Sequence, residues 1–530
     1  MSELHWFDAN CLLGRSVRTA HGQPETAGDL LAAMDRFGIH EALVVDALAR
    51  EANPAAGNER LLERTRQQPR LHPAWAGLMP QSEELPPPAE MVGRMRAEGV
   101  GALFLHYGFM DVRLEDWAID GLLEELEAAG VPLVLNPNHW REPATADRTD
   151  WEAVVRICRD FPELPVVVSE SRIFTTQRTA YAALDACPNL RLDVSALWRH
   201  GMIEFVCERW GVQRLLFGTG LPFRDPGAVM MQVACSDVPE EDLARIAGEN
   251  LRELLAWNEN VTPAADEVEL PEPIDALHRM ARERLDLSGE GFMDCHGHLG
   301  GASPMHAVHD GVDEMVREMD RHGVELSLVF GLEGILGDET FCNDLVADAV
   351  HRFPDRFIGF TLVTPNHGER MVREELERGH QMGLRGIKLI PHYQGYPPEG
   401  PLIDVACDFA NEHGLLILDH DWGSPEQMRR LCTRYARACF VTGHSTPGYA
   451  EVTREVENLY ICTCPFLEWG KCERFVEIYG ADRLLFGSDL TDLPIGWGLG
   501  PILYARIPEA DKRLILGGNL RRLLSAWGYR

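Results

Sequence analysis

The chain has 530 residues, 45% of them apolar, and a formal charge of −33, so two or more globular domains are expected rather than one core or a disordered chain. So acidic a balance argues against nucleic acid or an anionic membrane surface as a main partner, while a metal or a local Lys/Arg group still admits an anionic small substrate. No run of eighteen apolar residues occurs and "MSELHWFDAN" has no basic-to-apolar leader, so neither a membrane span nor a secretory signal is expected, and the setting is read as cytoplasmic.

In chain order, the first strand-and-turn signature is "HWFDANCLLG", His5 to Gly14, followed by "LLAAMDRFGI", Leu30 to Ile39. This half closes with "RLLFGTGLPF", Arg214 to Phe223, and "ENLRELLAW", Glu249 to Trp257. Residues 258–290 then read as an acidic, proline-bearing linker whose second part, Ile274 to Leu285, has helical spacing. After it the pattern begins again. "FMDCHGHLGG" (Phe292 to Gly301) repeats the opening, "EMVREMDRHGV" (Glu314 to Val324) the first helix, "RLLFGSDLTD" (Arg483 to Asp492) and "GNLRRLLSAW" (Gly518 to Trp527) the close. The copies are collinear, and each approaches the ~250 residues typical of a (β/α)8 barrel. The expected architecture is therefore α/β, two tandem (β/α)8 barrels over residues 1–257 and 291–530.

Within the second copy, eight apolar runs alternate with amphipathic stretches: "FMDCH", "LSLVFG", "FIGFTLV", "GIKLI", "LLILDH", "CFVTGH", "LYICTC" and "LLFGSD". A closed parallel barrel requires this order, although an open doubly wound sheet shares the periodicity. His296 and His298 lie two apart at the end of the first run, so on a strand both point the same way. His420 ends the fifth run, His444 the sixth and Asp489 the eighth. Singly, each has an ordinary structural explanation, such as a helix N-cap for Asp489. Jointly they occupy the carboxyl rim of one sheet, where barrel enzymes build their sites.

Those residues carry a resemblance. Over Gly291 to Arg530 the sequence resembles the amidohydrolase superfamily, in the branch that includes aminocarboxymuconate-semialdehyde decarboxylase, through "MDCHGHLG", "RGIKLIPHYQGYP", "LLILDH", "FVTGHST" and "ADRLLFGSDL". The resemblance implies a barrel holding a divalent metal on His296, His298, His420 and Asp489, with His444 beside it as a catalytic group. Imidazoles and a carboxylate suit zinc first, with Mn²⁺ or Fe²⁺ as alternatives. A metal-activated water is then expected to attack a carbonyl centre, with Asp489 as general base and His444 polarising the carbonyl. In some relatives a carboxylated lysine bridges two metals; here one metal is favoured, and Lys388, His392 and Tyr393 are read as substrate contacts.

The first copy has Asn10 and Leu12 for the histidine pair, Leu103 for Lys388, Pro137 for His420, Glu170 for His444 and Gly220 for Asp489. It is thus expected to be a catalytically silent barrel packed on the active one, and its alternative reading is a repurposed pocket around Glu170, His106, Asn136 and His139. The thirteen cysteines read as reduced core residues, with strand packing favoured over metal binding for Cys462 and Cys464.

The function expected is hydrolysis of an amide, ester or lactone in a small organic molecule. The alternatives are a metal-dependent decarboxylase or hydratase of a small carboxylic acid, or a non-catalytic scaffold. Substrate identity and oligomeric state are left open.

Overall fold

Short apolar runs become parallel strands, and the amphipathic runs between them become helices that cover those strands. The computed structural model describes residues 4–17, 22–137, 147–262, 268–301, 306, 308 and 311–529. The chain forms two compact units, Met1–Pro273 and Ile274–Arg530.

The first unit contains β1 Phe7–Leu13, β2 Glu41–Asp46, β3 Leu71–Pro73, β4 Trp75–Ala76, β5 Leu103–Leu105, β6 Leu133–Leu135, β7 Val166–Val168, β8 Leu190–Asp193 and β9 Leu215–Leu216. These form a three-stranded sheet, β1 to β3, and a six-stranded sheet, β4 to β9, with neighbours in chain order. At the break between them, Ala74 N–H donates to the Val44 carbonyl at 2.8 Å, while Trp75 N–H donates to Ala102 at 3.0 Å. Ala9 N–H donates to the Phe217 carbonyl at 2.8 Å, joining β1 to the residue after β9.

The second unit contains β10 Phe292–Leu299, β11 Val324–Gly331, β12 Phe357–Leu362, β13 Gly386–Leu389, β14 Leu416–Asp419, β15 Cys439–Thr442, β16 Leu459–Cys462 and β17 Leu484–Leu485. Each pairs with the next in a single eight-stranded sheet. Cys295 N–H reaches the Phe486 carbonyl at 2.8 Å, and Asp489 N–H reaches the His296 carbonyl at 2.8 Å. The sheet therefore returns on itself as a nearly closed parallel barrel. All eight residues of β10 are buried, as expected of a strand with barrel interior on one side and helices on the other. The helix Val312–Arg321 covers it with Met315 and Met319 buried. Asp338 and Ser424 cap the helices Glu339–Arg352 and Pro425–Arg434 by accepting from their first-turn amides.

The stretch read as a linker divides between the units. Asn258 Nδ2 donates to the Met95 and Val100 carbonyls, both at 3.1 Å, fastening that end to the first unit. Beyond Ile274, the helix Ala276–Arg282 buries Leu277, His278 and Ala281, and Asp275 pairs with the buried Lys512 at 2.7 Å. Among the described residues no helix is long and apolar enough to cross a membrane. The cysteines are free thiols, all buried except the partly exposed Cys207.

Several polar bonds occur in both units at matching places. Asn250 donates to the Val212 and Leu215 carbonyls; Asn519 donates to those of Ala481 and Leu484. Asn58 exchanges two bonds with the Ala76 backbone, and Asn343 does the same with Leu362. Arg70 bridges the Ile39 and His40 carbonyls, and Arg356 bridges those of Val324 and Glu325. Carried through the strand register, the Ala76–Leu362 match aligns Phe104, not Leu103, with Lys388. It likewise aligns Asn136, not Pro137, with His420. The linear alignment slipped by one residue, which on a strand exchanges the two faces.

Asn519 is nearly fully buried and holds two carbonyls that have no water to replace it. Asn519→Leu should therefore lower unfolding stability by about 2 kcal/mol, read as a fall in denaturant midpoint; an unchanged midpoint would contradict this bonding role.

Candidate active site

The alternation of β10 aims His296 and His298 at the same side. Asp294, on the same strand, accepts from the His296 N–H at 2.9 Å, from the Ser488 N–H at 2.9 Å, and from the hydroxyls of Ser488 and Ser327 at 2.7 and 2.8 Å. This buried carboxylate fastens β10 to β11 and to the turn after β17. The turn carries Asp489, whose backbone lies in the left-handed region at φ 58°. Its Oδ1 stands 3.2 Å from His296 Nε2 and 3.3 Å from His298 Nε2.

His444 sits two residues beyond β15, with Nε2 4.0 Å from Asp489 Oδ2 and its side chain 41% exposed. His420 follows β14, stacks on His444 at 4.2 Å between ring centroids, and lies 5.4 Å from the His296 ring. Two glycines make this crowding feasible. A Cβ at Gly443 would come within 2.3 Å of His420 Cδ2, and one at Gly487 within 2.4 Å of Cys462 Sγ and 3.0 Å of His296 Cβ.

The electrostatics prepare these groups to ligate. Burial holds His296 and His420 well below the usual imidazole range, and drops His444 to about 4 although one side of the ring stays open. Neutral rings keep a lone pair available. Burial opposes ionisation of Asp489, but the His296 and His298 imidazoles outweigh it and hold the carboxyl well below its ordinary value. Donor atoms of His296, His298 and Asp489 lie within 4.8 Å of one another. His420 is outside that tight group, one ring further across the barrel mouth. His296 Nε2 and both ring nitrogens of His420 are buried without a hydrogen-bond partner. Neutral imidazoles with unused nitrogens, gathered at an ionised carboxylate, fit a divalent cation bound through N and O.

Lys388 is fully buried on β13. Its Nζ has no hydrogen-bond partner and lies 4.2 Å from the Phe330 ring centroid. Burial pushes it down to about 7, and burial pushes the neighbouring Asp419 up to about 8. Phe330 also touches His298 and His296, at 4.4 and 5.1 Å between centroids, making it an apolar wall shared by the lysine and both histidines. His392 and Tyr393 are not beside Asp489. They stand exposed on the short helix Pro391–Gln394, with the His392 ring 5.4 Å and the Tyr393 ring 6.3 Å from His420.

Sequence reasoning missed Asp294 and Phe330, though the first lies inside "MDCHGH" and the second near the end of "LSLVFG". It also treated Cys464 as packing, whereas its sulfur lies within 4.8 Å of donor atoms on His444 and Asp489. Burial, then the Asp489 charge, raises that thiol well above its usual range, so Cys464 lines the site as a neutral group.

The first unit has no such cluster: among the described residues the groups able to hold a metal both lie in the second. In place of His444 stands Glu170, which takes two bonds from the Arg50 guanidinium at 3.0 and 2.7 Å and one from Asn10 at 3.2 Å. Gly220, at φ 72°, occupies the left-handed position of Asp489. His139 lies outside the described residues.

Among solved structures, the chain is similar to an uncharacterized TIM-barrel protein, Bb4693, from Bordetella bronchiseptica, with 17% identity, coverage of 45% of this chain and 99% of that one, and a TM-score of 0.38. It is also similar to 5-carboxyvanillate decarboxylase LigW from Sphingomonas paucimobilis, at 17% identity over 44% and 99% of the two chains with TM-score 0.34. A third is 4-oxalomesaconate hydratase LigJ from Rhodopseudomonas palustris, at 18% identity over 44% and 97%, TM-score 0.35. No curated protein matches. The family description that matches is "Amidohydrolase", over residues 13–257 and 293–525. Spanning most of both units, that match shows that the chain belongs to the amidohydrolase family.

Proposed function

We propose that the second unit is a hydrolase that binds one divalent cation, zinc first with Mn²⁺ or Fe²⁺ as alternatives, and cleaves an amide, ester or lactone of a small organic substrate. What carries the reading is the convergence of His296, His298 and ionised Asp489, with neutral His420 and His444 alongside. His296, His298, His420 and Asp489 would hold the ion. When bound, it supplies Lewis acidity and lowers the pKa of a coordinated water toward about 7.

The chain's own residues supply the rest. Asp489 Oδ2 faces His444 at 4.0 Å and is placed to accept the proton of an attacking water. His444, neutral and open on one side, donates its ring N–H to the substrate carbonyl oxygen as charge develops there. Lys388, whose Nζ has no hydrogen-bond partner, faces an electron-rich substrate group, and His392 and Tyr393 contact the substrate at the mouth. Lys388 also favours the second reading, decarboxylation or hydration of a small carboxylic acid on the same residues, because a buried cation suits a carboxylate.

The first unit is proposed to be a copy of the same barrel that has lost its ligands. Support comes from the bonds repeated around Asn58 and Asn343, Asn250 and Asn519, and Arg70 and Arg356.

Chelator-stripped protein should take up about one divalent cation per chain, and His296→Ala should abolish uptake, both measured by elemental analysis. No uptake from Zn²⁺, Mn²⁺ or Fe²⁺ would favour the scaffold reading, and uptake near two would overturn the one-metal reading in favour of a site bridged by Lys388 carboxylated with CO₂. On a panel of lactones, amides and carboxylic acids, metal-loaded protein should add water without releasing CO₂; CO₂ release would transfer the assignment to decarboxylation. His444→Ala should keep the metal and lose about 10²–10³-fold in kcat, and an unaffected kcat would remove His444 from the chemistry.

A further inference from the structure

The first unit gathers arginines at the rim where the second gathers histidines. Arg50 follows β2, Arg172 lies just beyond β7, Arg199 beyond β8, and Arg224 beyond β9. Arg50 and Arg199 are almost fully buried, although the chain as a whole carries a charge of −33. The carboxylates whose charges reach Arg224 are those of Glu170 and Asp193. Glu170 is already engaged by both outer nitrogens of Arg50. Asp193 is pushed up to about 7 by burial, so it offers only part of a charge near neutrality. Arg224 donates Nη1 to the Ser195 carbonyl at 2.6 Å, while its Nη2 is buried with no hydrogen-bond partner.

His106 points to the same deficit. It directly follows β5, is 2% exposed, and neither ring nitrogen has a hydrogen-bond partner. It lies close enough to Arg50 and Glu170 to feel both charges. A buried imidazole and a buried guanidinium nitrogen left without partners each cost free energy unless something completes them. Aromatic faces stand between the arginines. Arg50 lies over Phe109 and Phe223 at 5.0 Å each, and Arg172 and Arg224 lie over Trp198 at 4.3 and 5.4 Å.

We infer that the first unit is a binding site for a small organic carboxylate with a flat apolar body, recognised by Arg224 and His106 and flanked by Trp198. A carboxylate matches the planar donor fork of a guanidinium. The Trp198 face, with cations already over it, suits an aromatic or conjugated body better than a bare inorganic anion. Glu170, tied to Arg50, closes the side of the site where a metal would otherwise sit. The site requires no catalysis from either unit and does not rest on the function proposed for the second.

The test uses the full chain stripped of metal, titrated with benzoate, benzamide and inorganic phosphate, and read by calorimetry and by tryptophan fluorescence. His296→Ala removes the second unit's metal site, and dependence on Arg224 separates binding in the first unit from any carboxylate held at Lys388. The expected result is saturable benzoate binding in both wild type and His296→Ala, at least tenfold tighter than benzamide or phosphate. Arg224→Gln should weaken it tenfold or more, and Arg224→Lys should recover part of the loss, which a merely structural role would not predict. Absence of saturable benzoate binding to the wild-type chain would overturn the inference. So would equal affinity for benzamide or phosphate, or full binding retained in Arg224→Gln.

Discussion

One buried carboxylate organises the second barrel. Asp294 has no counter-ion among its hydrogen-bond partners; it is held by backbone amides and hydroxyls from β10, β11 and the turn beyond β17. Burial raises its pKa, and each of those bonds works to restore the charge. Because its partners come from the first strand, the second strand and the end of the last, the group both seals the sheet and sets the position of two neighbours. One neighbour is His296, whose N–H it binds; the other is Asp489, next to Ser488. The same residue type does the same task in the first unit, where Asp8 accepts from the Thr219 N–H and hydroxyl and from the Asn10 N–H. The seal is therefore independent of the histidine cluster, since the first unit has the same fastening without such a cluster among its described residues.

Much of this was legible in the sequence because the signals are local and repeated. The eight apolar runs of the second half became β10 to β17 in the order written, and the position of each polar group at a run's end fixed its place on the rim. His296, His298 and Asp489 converge because strand alternation and the glycine-rich turn leave little freedom. Less legible was anything that depends on lateral packing. His420 belongs to the same rim, but that its ring stacks on His444 at 4.2 Å and stands 5.4 Å from that of His296 is a spacing the strand pattern does not state. Phe330 is an ordinary strand residue until three side chains gather on it. Leu103 reads as the counterpart of Lys388 in the linear sequence, whereas the strand register puts Phe104 there, and register is a property of strand pairing that composition does not mark.

The first unit separates two things that the sequence joins. The absence of imidazoles is visible residue by residue, whereas the gathering of guanidinium groups is not, since Arg50, Arg172, Arg199 and Arg224 are scattered over 175 positions. Their burial alone changes the meaning. An arginine at the end of a helix in solvent is satisfied by water, whereas a buried guanidinium nitrogen needs a partner from the protein or a ligand.

Gly220 and Asp489 share a backbone geometry that glycine adopts freely and an aspartate adopts at a cost of roughly 1 kcal/mol. Gly220 carries no such cost, and in the same unit Glu170 is paired with Arg50 at 2.7 Å. Placing the second unit's ligand set in the first would thus require several simultaneous replacements, each unfavourable until the last was made. A centre of this kind is assembled whole or not at all, because a buried carboxylate in a strained backbone position is a burden until the imidazoles that hold its charge stand beside it.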